Sequence, residues 1–326
     1  MLSLNANILH AARKLHLLIT AGAGFSADSG LQTYECAPAE YSAMCNPSKL
    51  LECPYDFQRY WLNFTRAYLE ADPHFGYELL DQWCRGGRLP HLNRSCRSVD
   101  SLSAPWWVYT SNVDGHFRRF QSFANTLCEI HGSALFLRCA CGIGYANGEP
   151  RLGQKWHRWN EKILCTDSCK QTIVETSQSL LNSEETLLCC HCQRPMRPNV
   201  LMFHDNDENV LNTINFQRER YQTWESLVEE NVAVNGQKLV VLEMSCGIYV
   251  PAVREESVEV LLECAKKVTV SNDINDGSVC MIRINPKDAD IDIGDKSFES
   301  IPIASPAAVA LQEIDSWIAL FARCYT

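Results

Sequence analysis

The chain has 326 residues, of which 46% are hydrophobic and 21% charged, and its formal net charge is −10. That length suits one large α/β domain carrying an inserted module rather than a single small core. The acidic balance argues against nucleic acid as the main ligand, and no run approaches the ~20 apolar residues of a membrane span.

Residues 1–13 predict a short helix, and the apolar run from Leu15 to Thr20 predicts the first, buried strand. It leads directly into Ala21-Gly22-Ala23-Gly24-Phe25-Ser26. Small residues at such a turn let the backbone approach a ligand, and free N–H groups there can hold a pyrophosphate. Ala23–Leu31 predicts the start of the next helix. Residues 32–105 hold helical stretches at Asp56–Glu70 and Phe75–Arg85 with no obvious strand, so they read as a helical excursion from the sheet. Trp106–Thr110 and Thr126–Ile130 predict strands, with a helix over Val113–Ala124 between them. After a polar, cysteine-rich stretch at 138–198, Val200–Phe203 predicts another short strand. Helices over Gln217–Val232, Pro251–Lys266 and Ser305–Phe321 alternate with strands at Lys238–Glu243 and Cys280–Asn285. Alternating strands and helices predict an α/β fold with a doubly wound, Rossmann-like parallel sheet, a helical insertion and a small zinc-binding module.

Seventeen cysteines without a secretory layout favour a reducing compartment and metal or free-thiol roles over a disulfide framework. The expected compartment is the cytoplasm, with the nucleus left open. Cys139-Ala-Cys141 and Cys189-x-x-Cys192 are two close thiol pairs, with 47 residues between them at 142–188. Zn²⁺ takes four such ligands in a tetrahedron. Cys165, Cys169, Cys190 and His191 crowd the same region as further candidates. Four protein ligands would close the site, making it structural rather than catalytic. Basic clusters at Arg85–Arg97 and Arg151–Lys162 read as solvated faces.

In a doubly wound sheet, ligands sit outside the carboxyl ends of the strands. Gly22 and Ser26, Asn112 and Asp114, His131, Ser245 and Asn285 all fall at such ends. A lone histidine is usually a satisfied core residue, but His131 stands among these others.

Taken together, these segments resemble the sirtuins, NAD-dependent protein-lysine deacylases. Gly22, Ala23, Gly24, Ser26, Ser29 and Gly30 match G-A-G-x-S-x-x-S-G. Thr110-Ser111-Asn112-Val113-Asp114 is similar to T-Q-N-I-D, His131-Gly132 to H-G, and Ile284-Asn285 to a later I-N. Arg197-Pro198-Asn199-Val200-Leu201-Met202-Phe203 is similar to R-P-x-V-V-x-F, closest to a bacterial-type branch. The resemblance runs from about Leu15 to Ile314. It implies that Gly22, Ala23, Gly24 and Ser26 line the NAD pyrophosphate site. Asn112 and Asp114, with Ser111 beside them, would hold the nicotinamide ribose and carboxamide, and Tyr34 would lie against the nicotinamide. Ser245, Cys246 and Asn285 would contact the adenosine half. His131 would be the general base, with Asn112 and Asp114 completing the catalytic set. Val200, Leu201, Met202 and Phe203 would offer an edge to an acyl-lysine peptide by β-augmentation. The implied products are nicotinamide and O-acyl-ADP-ribose. NAD is a consumed co-substrate, and structural zinc would be held by Cys139, Cys141, Cys189 and Cys192.

The chain departs from the pattern at Leu31-Gln32-Thr33-Tyr34-Glu35, which stands where the family has I-P-D-F-R. Glu35 there reverses a charge worth about 3 kcal/mol at ~5 Å in an effective dielectric near 20. Met244-Ser245-Cys246 lacks the glycine of G-T-S, and His204-Asp205 replaces Gly-Glu. These departures keep two other readings open: an NAD glycohydrolase or ADP-ribosyltransferase, and an impaired sirtuin-like protein that binds NAD or ADP-ribose. Phe25, Tyr34 and Phe203 are candidates for an acyl channel. The expected organisation is a Rossmann-like unit over 1–35, 106–137 and 199–326, a helical insertion with the cofactor-binding loop over 36–105, and the zinc module over 138–198. Oligomeric state is open.

Overall fold

The computed structural model describes residues 15–33, 39–85, 89, 101–140, 186–189, 194–270, 278–291 and 298–324. The expected helix over 1–13 and the basic stretch at 151–162 lie outside them.

Strand β1 (Leu15–Ala21) is buried from Leu17 onward, as a strand covered on both faces must be. It pairs in parallel with β2 (Trp106–Thr110) on one side and with β6 (Lys238–Met244) on the other. With β3 (Leu127–Glu129), β7 (Val279–Ile284) and β8 (Glu299–Ile303), these form one six-stranded parallel sheet, in the order β3-β2-β1-β6-β7-β8. The chain winds outward from β1 in one direction and returns on its other flank. The carboxyl ends of β1 and β6 therefore open onto a topological switch point, where α/β sheets bind ligands.

Both faces of the sheet are covered. On one, Leu17, Ile19 and Val108 pack with Tyr77, Leu80 and Trp83 of α5 (Phe75–Cys84) and with Leu311 of α8 (Ala307–Cys324). Trp83 Nε1 donates to Asp315 at 2.9 Å and ties these two helices together. On the other face, Leu18, Trp107 and Val241 pack with Tyr221, Trp224 and Val228 of α6 (Glu208–Asn235) and with Val260 and Leu261 of α7 (Ala252–Val270).

A separate antiparallel pair, β4 (Gly132–Cys139) and β5 (Met196–Val200), stands off the sheet. Helix α4 (Pro54–Glu70) holds it through side chains. Gln58 donates to the Leu187 and Met196 carbonyls and accepts from Leu187 N, and Thr65 Oγ1 donates to Ala134 O at 3.0 Å. Helices α2 (Ala39–Met44) and α3 (Pro47–Glu52) complete this unit, α3 starting at an Asn46 cap that accepts from Ser48 N.

Three sequence expectations are corrected. The helix expected at Ala23–Leu31 is a short α1 (Ala23–Ala27) that ends in turns, with Gly30 at φ +83°. Val113–Ala124 holds two 3₁₀ turns, His116–Arg119 and Gln121–Phe123, because Gly115 takes φ +71° and Asp114 captures the His116 N–H. Strand β5 ends at Val200, and Leu201–Phe203 leaves the pair to bond elsewhere. Strands β4 and β8 had no clear signal. β8 is an edge strand that tolerates Pro302, and β4 finds its partner far along the chain. No described helix is long and apolar enough to cross a membrane.

Candidate active site

The loop after β1 is shaped by close approach to the loop after β6. Gly22 N donates to Met244 O at 3.1 Å. A Cβ on Gly22 would lie 2.6 Å from Cys246 Cα, and one on Gly24 would lie 2.8 Å from Ser245 Cβ. Glycine is therefore required at both positions for steric reasons.

Just beyond this loop, three buried polar side chains converge. Ser26 Oγ donates to Asp114 Oδ2 at 2.5 Å and accepts from Asn112 Nδ2 at 2.9 Å. Thr110 Oγ1 donates to Ala21 O and accepts from Asn112 N, so the segment after β2 is fastened to the end of β1. Asp114 Oδ1 accepts from His116 N at 2.7 Å. Beneath them lies Tyr77, fully buried, whose phenol is pushed up by burial and then by the Asp114 charge. Asn112 Oδ1 is buried and has no hydrogen-bond partner. An unpaired buried acceptor carries a desolvation cost that a ligand N–H or O–H would relieve.

His131 enters from the end of β3, and its carbonyl accepts from Leu201 N at 2.9 Å. Burial lowers its pKa, against a raising contact with the Ser111 backbone. The imidazole is therefore neutral at pH 7 and able to accept a proton. Gly132 sits at φ +77°, and a Cβ there would be 2.2 Å from Asn199 O. The segment Val200–Phe203 is set by a buried ionic cluster. Arg197 donates to Val200 O at 2.8 Å and to Asp205 through both terminal nitrogens. Asp205 in turn accepts from Met202 N at 3.1 Å.

Two adjoining cavities result. The first, about 250 Å³, brings together Ala23, Ser26, Ser111, Asn112, Asp114, His131 and Val200–Phe203. The second, about 290 Å³, brings together Gly22, Ala23, Gly24, Ser245, Cys246 and Asn285. Ala23, Thr33, Ser111 and Val250 line both.

No family profile matches the chain. Among solved structures, it is similar to one described as "The Structural basis of Sirtuin Substrate Affinity", with a TM-score of 0.58 and 15% identity over 96% of this chain and 98% of that one. This is the sirtuin fold. A second solved structure, "Sir2-p53 peptide-NAD+", matches with a TM-score of 0.55 and 15% identity over 98% of this chain and all (100%) of that one. In sequence, the chain is 29% identical over 162 residues to NAD-dependent protein deacylase 2 of Pseudomonas syringae pv. tomato. That match covers 48% of this chain and 59% of the relative, so it spans about three fifths of the relative's length.

Within the sirtuin fold, most of the sequence-predicted site residues meet at these two cavities. Phe25 does not: it is fully buried against Tyr77 and Phe117 in the core, away from any channel. Asn285 lines the second cavity, but its amide is engaged within the protein. Nδ2 donates to Cys246 O, and Oδ1 accepts from Lys287 N and Asp288 N, each at 3.0 Å. Cys246 is buried and its thiol is pushed well up by burial, so it stays protonated. Tyr34 and Glu35 lie outside the described residues, as do Cys141, Cys192, Cys165, Cys169, Cys190 and His191. Cys139 and Cys189 are described, and they pack in one buried cluster with Leu137 and Met196. Cys189 N donates to Arg194 O at 2.7 Å.

The sequence reading missed one wall of the first cavity: Tyr41, Cys45, Phe64, Tyr68 and Val113. Tyr60, Phe64 and Tyr68 recur at helical spacing, a pattern that reads as an ordinary core face.

Proposed function

We propose that this protein is an NAD-dependent protein-lysine deacylase. Acyl-lysine, NAD and water would give free lysine, nicotinamide and O-acyl-ADP-ribose. The observation that carries this reading is the shared cavity. Asn112, the Ser26–Asp114 pair and a neutral His131 line one space beside the backbone of Val200–Phe203. NAD would supply the anomeric carbon that loses nicotinamide and takes the acyl oxygen. Gly22, Ala23, Gly24 and Ser245 would hold its pyrophosphate and adenosine half, with Tyr34 against the nicotinamide. Asn112 would bond the ribose or carboxamide, and Asp114 would fix Ser26 and, through it, Asn112 in place. His131 would take a proton from a ribose hydroxyl. The N–H groups of Leu201, Met202 and Phe203 are bonded within the protein, so this segment would meet the peptide backbone through its carbonyls.

A structural zinc held by Cys139, Cys141, Cys189 and Cys192 belongs to the same proposal. Support comes from Cys139 and Cys189, which flank the end of the β4–β5 pair and pack together. The same reading takes 138–198 as the zinc module.

The test is nicotinamide release from NAD by purified protein, with and without an acyl-lysine peptide. Release that requires the peptide is expected. Release without it would indicate a glycohydrolase or transferase, and no release from folded protein would indicate a binder.

A further inference from the structure

The first cavity has two chemically different ends. Ser26, Asn112 and Asp114 make one end polar. The other is a wall of rings: Tyr41 from α2, with Phe64 and Tyr68 from α4. The Tyr41 and Phe64 ring centres are 5.4 Å apart, and those of Phe64 and Tyr68 are 6.0 Å apart. Cys45, Val113 and Met202 complete this end, within the same apolar cluster as Trp61 and Val200.

Among the described residues lining this cavity, none is a lysine or arginine. The undescribed residues at 34–38 cannot supply a cation either, because residues 31–48 contain no Lys or Arg. The nearest cations on α4 are directed elsewhere: Arg59 donates to Tyr55 OH at 2.8 Å, and Arg66 to Glu70 at 2.6 Å. The wall itself is uncharged. Burial raises the phenols of Tyr41 and Tyr68 and pushes the Cys45 thiol up to about 11. The charged group that does line the cavity, Asp114, is negative.

We propose that the acyl group taken by this cavity is an uncharged aliphatic chain longer than acetyl, seated against Tyr41, Phe64, Tyr68 and Cys45. Acyl groups that end in a carboxylate are excluded. A carboxylate entering here would lose its water, find no counter-charge among the described residues and face Asp114. A methylene entering the same space leaves water for apolar contact, which favours binding roughly fourfold per group. The inference rests on the deacylase reading and names its substrate class.

The test uses the full chain and one peptide sequence, with its lysine acetylated, hexanoylated, succinylated or glutarylated. Nicotinamide release with NAD gives kcat/KM, and fluorescence anisotropy without NAD gives binding independently of turnover. The expected result is hexanoyl above acetyl by at least tenfold, and both above succinyl and glutaryl, in both measurements. Cys45→Leu, which fills the apolar end, should lower the hexanoyl-to-acetyl ratio severalfold. Succinyl or glutaryl matching hexanoyl, or no dependence on chain length, overturns the inference. If no peptide is turned over but hexanoyl still binds ahead of succinyl, the deacylase reading fails while the class of group recognised stands. No binding by any of the four overturns both.

Discussion

Replacing Arg197 by Met should destabilise the protein in a way that depends on pH. The Arg197, Asp205 and Asp207 side chains are all fully buried. In the intact protein, Arg197 bonds Asp205 and Val200 O and lies 3.4 Å from Asp207. Met fills the space but leaves two buried carboxylates facing each other. Breaking a buried pair by removing one partner costs about 3–5 kcal/mol. Two adjacent buried carboxylates that have lost the guanidinium between them, with Arg138 the remaining cation acting on Asp207, do not both stay ionised, so one takes up a proton in the folded state. Its folded pKa then lies above the unfolded value near 3.9. The folded state binds more protons than the unfolded one, so stability falls as pH rises, by roughly 1.4 kcal/mol per unit until the folded pKa is passed. The deficit relative to the intact protein should therefore be larger at pH 7.5 than at pH 5.5, by about 1–3 kcal/mol. Urea unfolding at both pH values measures it, with an unchanged slope confirming that the same transition is compared. A deficit under about 1 kcal/mol, or one that shrinks toward pH 7.5, would refute the argument that this cluster is held by charge.

Three further outcomes are expected. His131→Ala should reduce peptide-dependent nicotinamide release by at least about 100-fold. In the intact protein, the rate should rise with pH and level off below the ordinary histidine value of 6.5, because burial lowers the His131 pKa; an inflection above 7 would contradict that. Gly22→Ala places a Cβ 2.6 Å from Cys246 Cα. It should weaken calorimetric NAD binding by at least about fivefold, as overpacking costs about 1–3 kcal/mol; unaltered affinity would show that the two loops are free to part. Elemental analysis should find one zinc per chain, and Cys189→Ser should lose it and lower the unfolding midpoint. Full zinc occupancy in that variant would remove Cys189 from the ligand set.

The parts of the site that were legible in the sequence are those written locally. An apolar run followed by Gly-Ala-Gly identifies the end of β1, and Asn112, Asp114 and His131 each follow a short strand. Parallel-sheet logic then gathers them at one edge. What was not legible depends on distant partners. Strand β4 pairs with β5 across the whole cysteine-rich stretch, so Ser133–Arg138 carried no sign of being a strand. The aromatic wall is read from its spacing as a core face, and only the packing of α4 against the β4–β5 pair turns part of it toward a cavity. Phe25 misled in the opposite direction. Its place in the glycine motif suggested a channel, while T-shaped, tilted and stacked contacts with His74, Tyr77 and Phe117 draw it under the loop.

The departures from the sirtuin pattern are better understood by asking what each position supplies. At His204 the backbone takes φ +59°, the left-handed region where the family pattern has glycine. A non-glycine residue there is tolerated at a cost on the order of 1–2 kcal/mol. The next residue, Asp205, keeps the carboxylate that Arg197 needs, so the turn that sets Val200–Phe203 survives both substitutions. At Met244-Ser245-Cys246 the missing glycine matters little at position 244. Met244 is buried, and what it gives the site is its carbonyl, the acceptor for Gly22 N. The left-handed step falls on Ser245 instead, at φ +50°. Ser245 N is anchored to Ile284 O at 2.7 Å, and Asn285 Nδ2 holds Cys246 O. In each case the surrounding hydrogen bonds fix the backbone and the side chain is secondary. The same reasoning makes Asn285, which lines the second cavity, the residue that joins the loops after β6 and β7 there, which is where a change at that position should act first.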